Sequence, residues 1–535
     1  MTQPISTIDG TQLVVNGRPF TVLGAEIHNS SSSTVAAIAE SFRKVAALGA
    51  NTVLAPVAWS LLEPEEGAFD FTLVDTMIDV AQESGLKLIP LWFGSWKNGT
   101  SSYVPAWVKR DVGRFPRALI QDGRPVEHLT PFSDEARDAD AAAFRALMRH
   151  LGQVDVQHTV IMVQVENEVG LLGDARDRSE LADVAWSQQV PPAFIDALGL
   201  DVDSPVSARW QRNGRLTNGS WATVLGETAE ADEAFMAWAY ARYIDAVAAA
   251  GRAEHDVPLF ANVWLDSPME LDMPDAPDLS LAGGLQPGDY PSGGPVPRVV
   301  ALWRAAAPSL DMVAPDFYFG DFSATMDRYS NASEGRLFIP EMRRSATGVS
   351  HMFLALGTYR ALGVSPFGVD SFDEDEPAAR TMSDAYALLR VVAQEQEARP
   401  DAACRGFALT EAHPEQTITV GRSVVTVAAV DSFRQLPPFP AYGILLEEES
   451  GVVLAVGRGF TVSFPEVEGT RRGIERASEI AADGTGRIVR ELNGDETMGG
   501  SGVRLHALGA TAPAVFPIPL STVSTGVLRL VTYTY

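Results

Sequence analysis

Thr159-Val-Ile-Met-Val-Gln-Val-Glu-Asn-Glu-Val-Gly170 is the stretch whose reading decides the fold. Its first seven residues form an apolar, β-branched run suited to a buried strand. The run then gives way to Glu166, Asn167 and Glu168. A parallel barrel presents its active-site face at the carboxyl ends of its strands, so a buried strand ending in a polar cluster fits that architecture. If the strand runs on, alternation points Glu166 and Glu168 to one side. If it ends near Glu166, Glu168 stands at the barrel rim.

Working outward, the same unit recurs. Asn16-Gly17 signals a type I′ turn between Leu13–Val15 and Phe20–Leu23, a hairpin entering the barrel. Thr34 is an N-cap for a helix from Val35 to Leu48 that stops at Gly49. Strand-like runs follow at Asn51–Ala55, Leu86–Trp92, Thr159–Val165, Leu259–Trp264, Asp311–Ala314, Arg336–Ile339 and Val364–Phe367. Helical spacing lies between many of them, at Leu73–Glu83, Asp134–Leu151, Glu233–Ala250, Val296–Ala306 and His351–Leu362, with a last helix at Arg380–Gln396. With Val22–Ile27 these make eight strand candidates. The alternation predicts an α/β fold, a (β/α)8 TIM barrel over residues 1–398. A doubly wound open sheet is the alternative, but it lacks a Gly-rich phosphate loop here. From Arg399 the texture becomes short β-branched runs between Gly, Asp and Pro, so residues 399–535 read as a β-sandwich-like C-terminal domain.

Bulk properties narrow the function. The 535 residues carry 41 Lys+Arg against 69 Asp+Glu, a net charge of −28. That field disfavours nucleic acid and anionic membranes as partners and leaves neutral sugars unaffected. No apolar run of membrane-spanning length is visible. The polar segment Met1 to Gly10 lacks a secretory pattern, and the single cysteine, Cys404, fits a reducing compartment. The expected location is cytoplasmic, and a homo-oligomer is allowed. The eight histidines show neither His-x-His nor His-Glu-x-x-His spacing, so no metal and no cofactor is expected.

The chemistry is expected from two acids. Leu337-Phe-Ile-Pro-Glu341 repeats the pattern of an apolar strand ending in a carboxylate. Glu168 and Glu341 would then stand on strands four and seven, on different sides of the barrel mouth. Two carboxylates about 5 Å apart there support double displacement at a glycosidic carbon. One must be ionised to attack, and the other protonated to release the leaving group.

The third cluster, Trp59-Ser-Leu-Leu-Glu-Pro-Glu-Glu-Gly67-Ala-Phe69-Asp70-Phe71, together with Gln164–Gly170 and the later strand-end glutamate, resembles clan A glycoside hydrolases. Within that clan it resembles glycoside hydrolase family 35, the β-galactosidases, over about residues 10–395. The resemblance implies Glu168 as acid/base, Glu341 as nucleophile and Asn167 as a ligand of the sugar 2-hydroxyl. It also implies a positioning role for His28 after strand one, and for Tyr318 as the tyrosine that holds the nucleophile. Three departures stand out: Val169 follows the acid/base, Trp59-Ser-Leu-Leu-Glu-Pro64 replaces the usual motif, and Trp92–Gly99 replaces the Ala-Glu-Trp segment. Trp92, Trp96 and Trp264 are candidates for stacking on a pyranose, and Lys97 and Asn98 for bonding its hydroxyls. Tyr290, in the loop Gly283–Gly294, is the candidate pocket cap. Glu63-Pro64 is expected to fix the loop after strand two. The substrate expected is a β-galactoside or oligosaccharide. Alternatives are another β-glycoside (β-glucoside, β-fucoside or a xyloglucan-type oligosaccharide) and a non-catalytic carbohydrate-binding barrel.

Overall fold

The computed structural model describes residues 6–200, 204–266, 284–373, 376–429, 440–467, 469–508 and 523–535. Eight strands form one sheet: β1 (Val22–Glu26), β2 (Thr52–Ala58), β3 (Lys87–Lys97), β4 (Val163–Asn167), β5 (Leu259–Trp264), β6 (Met312–Asp316), β7 (Phe338–Met342) and β8 (Gly363–Pro366). Their order is β6-β5-β4-β3-β2-β1-β8-β7. Neighbouring strands from β6 through to β8 pair in parallel, and a parallel bridge from Phe317 to Met342 brings β6 to β7, closing the ring. These strands are buried almost throughout, as a barrel wall clad by helices requires. The (β/α)8 expectation holds.

Local signals explain most of the elements. Thr34 Oγ1 accepts the Ala37 N–H at 3.2 Å, which caps the helix Val35–Leu48. Asn16 and Gly17 both take positive φ, 52° and 75°, as a type I′ turn needs. The hairpin itself differs from expectation. Gln12–Val15 pairs backward with Ser6–Asp9, only Arg18–Pro19 follows the Asn16-Gly17 turn, and Val22 already belongs to the barrel. Residues 180–225 hold four short helices that periodicity did not reveal: Glu180–Ser187, Pro192–Leu200, Pro205–Arg212 and Trp221–Leu225. Three begin at serines, Ser179, Ser204 and Ser220, whose side chains accept from the first-turn amides.

Clustering of contacts divides the chain into two units, residues 1–18, 24–44 and 51–342, and residues 19–23, 45–50 and 343–535. The second unit contains two all-β sheets. Continuing the labels, these strands are β9 (Ala403–Leu409), β10 (Glu415–Val420), β11 (Ser423–Ala429), β12 (Ala441–Glu449), β13 (Val452–Arg458), β14 (Phe460–Ser463), β15 (Arg472–Ile480), β16 (Ile488–Glu491), β17 (Gly502–Leu505) and β18 (Val527–Thr534). The orders are β9-β12-β13-β18-β15-β16 and β10-β11-β14-β17. Phe407, Leu445, Ala455 and Leu528 of the first share one core with Val425, Val462 and Leu505 of the second, as in a sandwich. Among the described residues, no helix is long and apolar enough to cross a membrane.

One seam is especially tight. A Cβ placed on Gly363 of β8 would lie 2.3 Å from Val22 Cβ and 2.4 Å from the Val22 carbonyl oxygen of β1. Gly363→Ala should therefore force the two strands apart and destabilise the fold by about 1–3 kcal/mol. Thermal unfolding measures this, and an unchanged transition would show that the seam yields freely.

Candidate active site

Parallel strands bring their carboxyl ends to one mouth. Glu26 closes β1, Lys97 closes β3, Asn167 closes β4 with Glu168 next, Asp316 closes β6, and Glu341 is the fourth residue of β7. All six side chains are buried. One carboxylate oxygen each from Glu168, Asp316 and Glu341 lie within 4.8 Å of one another. Strands four and seven thus bring the Glu168 and Glu341 carboxyls together.

Glu341 is the most heavily held acid. Tyr318 donates its hydroxyl to Oε2 at 2.8 Å. Asn167 and Asn262 approach Oε1 with their Nδ2 groups at 3.3 and 3.4 Å. The Lys97 ammonium stands 3.9 Å from the same oxygen. Asn262 also donates to Asp316 Oδ2 at 2.7 Å, and its own carbonyl accepts the Glu168 backbone N–H at 2.9 Å. One amide of β5 therefore ties the segment after β4 to β6 and β7.

The charges are strongly coupled because little water reaches them. Burial, then the negative charge of Glu341, raises the Glu168 carboxyl to about 7, against the opposing pull of Lys97 and of a hydrogen bond with Asp316. Asp316 is pushed well above the usual carboxylate range by burial and then by Glu341, Glu168 and Glu26. Burial pulls Lys97 downward, but Glu341, Glu168, Glu26 and Asp316 together raise it above the ordinary lysine value. The cluster thus combines a buried cation with closely spaced carboxyls, of which Glu168 and Asp316 are raised by burial and by their acidic neighbours. The Lys97 ammonium supplies the positive charge that three converging carboxyls need.

The remaining candidates divide. His28 and Trp264 are half-buried, His28 two residues past β1 and Trp264 at the end of β5. Asn98 is exposed, in a turn with φ of 51°. Stacking by Trp92 and Trp96 needs correction, because both rings are fully enclosed. Trp92 Nε1 donates to Asp140 at 2.9 Å. Trp96 Nε1 donates to the Leu129 carbonyl at 3.1 Å, and its ring packs on Tyr243 and Tyr240. Pocket capping by Tyr290 also needs correction. Tyr290 is fully buried, donates to Glu233 and lies under the Arg298 guanidinium. Its ring pins the loop inward, where Leu171 and Ser292 exchange backbone hydrogen bonds of 3.0 and 2.8 Å; Gly283, the first residue quoted for that loop, lies outside the described residues. Glu63 accepts from Trp59 Nε1 and the Gly67 N–H, both at 2.7 Å, fastening the loop after β2.

Two members of the cluster, Glu26 and Asn262, carry no role in the sequence reading. The available signal was a polar residue inside an otherwise apolar strand, as in Val22-Leu-Gly-Ala-Glu26 and Leu259-Phe-Ala-Asn-Val-Trp264.

Residues 12–245 match the model for glycosyl hydrolases family 35, and residues 382–504 match a domain of unknown function, DUF5597. A beta-galactosidase of Xanthomonas manihotis is 32% identical over 187 residues, 34% of this chain and 28% of the relative. An exo-beta-D-glucosaminidase of Pyrococcus horikoshii is 34% identical over 110 residues, 17% of this chain and 13% of the relative. The chain thus spans less than a third of the length of these curated relatives. The crystal structure of a beta-galactosidase from the psychrophilic Marinomonas ef1 aligns with a TM-score of 0.47 at 15% identity, over 71% of this chain and 62% of that one. Glu341 lies beyond the family match, so its partnership with Glu168 rests on the geometry of the barrel mouth. Over residues 12–245, which carry β1 to β4 and Glu168, this chain is thus similar to the glycosyl hydrolases of family 35.

Proposed function

We propose that this chain is a retaining exo-β-glycosidase acting on terminal β-D-galactosyl residues, with Glu341 as nucleophile and Glu168 as acid/base. The observation that carries the reading is the approach of their carboxylate oxygens to within 4.8 Å, the spacing of direct attack rather than of an interposed water. Glu341, held by Tyr318, Asn167, Asn262 and Lys97, attacks the anomeric carbon as a carboxylate. Glu168 gives its proton to the glycosidic oxygen as that bond breaks. The ester formed on Glu341 no longer carries charge. Glu168 then becomes more acidic and takes a proton from the water that hydrolyses the ester, restoring both groups. We further propose a domain division at residues 398 and 399, supported by the end of the helix Pro377–Ala398 and the strands beyond it. A cytoplasmic location is part of the same proposal, supported by the lone cysteine.

A second reading is a β-linked amino sugar as substrate. Two further buried acids at the same mouth, Glu26 and Asp316, and relatives named exo-beta-D-glucosaminidase support it.

A panel of nitrophenyl glycosides separates the readings. Turnover of the β-galactoside is expected; turnover of the β-glucosaminide alone favours the second reading, and binding without turnover overturns both. Glu341→Ala should lose activity by several orders of magnitude and recover with azide as an α-glycosyl azide. A β-configured azide product would contradict Glu341 as the nucleophile. Replacing Glu341 by Gln should also lower the Glu168 pKa from about 7, because one of its two upward pushes disappears. Carboxyl carbon NMR measures that shift without substrate. An unmoved or raised value would show that the two acids are not electrostatically coupled.

A further inference from the structure

Glu166 does not face the pocket with Glu168. Its backbone takes φ of 62°, and that of Glu168 takes 45°, so strand alternation is broken at both. The Glu166 carboxylate turns instead into an irregularity of the neighbouring strand. Trp92 of β3 pairs with Val165 of β4, and the next pair is Lys97 with Asn167, so β3 uses five residues where β4 uses two. The surplus forms an extended bulge. Its free amides are taken by acids: Trp96 N donates to Glu166 Oε2 at 2.7 Å, while Ser95 N lies 3.1 Å from both Glu166 Oε1 and Asp140 Oδ2. Asp140, from the helix Asp134–Val154, also accepts from Trp92 Nε1 at 2.9 Å. A Cβ on Gly94 would lie 2.4 Å from Glu166 Oε1 and 2.8 Å from Asp140 Oδ1, so only glycine lets the bulge close on both acids.

We propose that Asp140 and Glu166 are a buried carboxyl pair, sharing one proton, which clamps this bulge and thereby positions Lys97 against Glu341. Lys97 is the residue at which the bulge rejoins the ladder, and its ammonium stands 3.9 Å from Glu341. Both acids are essentially inaccessible to water. Two carboxylates bonded to one amide would repel unless a proton lay between them. Burial, then the Asp140 charge, holds Glu166 well above the usual carboxylate range. The surrounding titratable groups do not supply a cation in its place. Tyr243 shares its hydroxyl with Ser95 Oγ at 2.7 Å, Glu63 is itself raised by burial and in part by Asp140, and Arg137 is bonded to Asp134 and Asp138. Glu166 and Asp140 touch no reacting atom and are positioning residues. Their importance for turnover rests on the function proposed above; the pair itself does not.

The test has two arms. In the first, unfolding is followed against pH. A carboxyl raised in the folded state contributes stability at low pH that fades as pH rises past its unfolded value toward its folded one. The wild-type protein should weaken through that window. Glu166→Gln, whose amide donates to Asp140 permanently, should lack this component of the loss. Identical pH profiles would overturn the shared proton, whether or not the protein hydrolyses any glycoside. In the second arm, turnover is measured on whichever nitrophenyl glycoside the wild type cleaves. Glu166→Ala and Lys97→Met should each lower kcat about a hundredfold with little change in KM. The double variant should be no slower than Lys97→Met alone, and Glu166→Gln should stay within about threefold of wild type. Additive losses, or an Ala variant as active as the Gln variant, would overturn positioning through Lys97. Absence of any turnover in the wild type overturns the proposed function and leaves the first arm to judge the pair.

Discussion

The site depends on satisfying a buried carboxyl group, that of Glu341, where water is scarce. Glu341 is only 5% exposed, so its oxygens need partners from the protein. The barrel answers with two amides, a phenol and an ammonium drawn from β3, from β4, from β5 and from just past β6. No single strand could supply that set. The parallel arrangement can, because every strand delivers its last residues to the same opening. Burial, and after it the negative charge of Glu341, raises the neighbouring Glu168 carboxyl to about 7.

The fold was legible because most barrel strands are apolar runs followed by helical spacing, and the barrel wall is buried on both sides. Glu168 and Glu341 stood out for a related reason: one lies in a polar cluster that ends a long apolar run, and the other directly follows Leu337-Phe-Ile-Pro340. Tyr318 and Asn167 entered through the family resemblance, and the geometry sets both on Glu341.

What escaped has equally local causes. The short helices between residues 180 and 225 span two turns or so, too few for a periodic signal, and only their serine caps and Pro205 announce them. Alternation along Glu166-Asn167-Glu168 suggested that the two acids share a face. Positive φ at both sends one into the β3 bulge and the other to the pocket, and side-chain identity carries no trace of that choice. Trp92 and Trp96 looked like sugar platforms because aromatic rings follow a strand end. The bulge folds them back onto Asp140, Tyr240 and Tyr243, contacts separated by about 40 to 150 residues in sequence.

The enclosure of those two rings changes how the mouth can discriminate. A flat indole recognises the face of a pyranose and is tolerant of which hydroxyl points up or down. With two of the three candidate indoles built into the wall, a sugar bound as proposed would be selected chiefly by directional donors and acceptors such as Asn167 and Asp316. Directional groups left unpaired by the wrong epimer are costly in a dry cavity. A barrel of this construction is expected to be strict about stereochemistry at single carbons and indifferent to the bulk of hydrophobic surface its ligand offers.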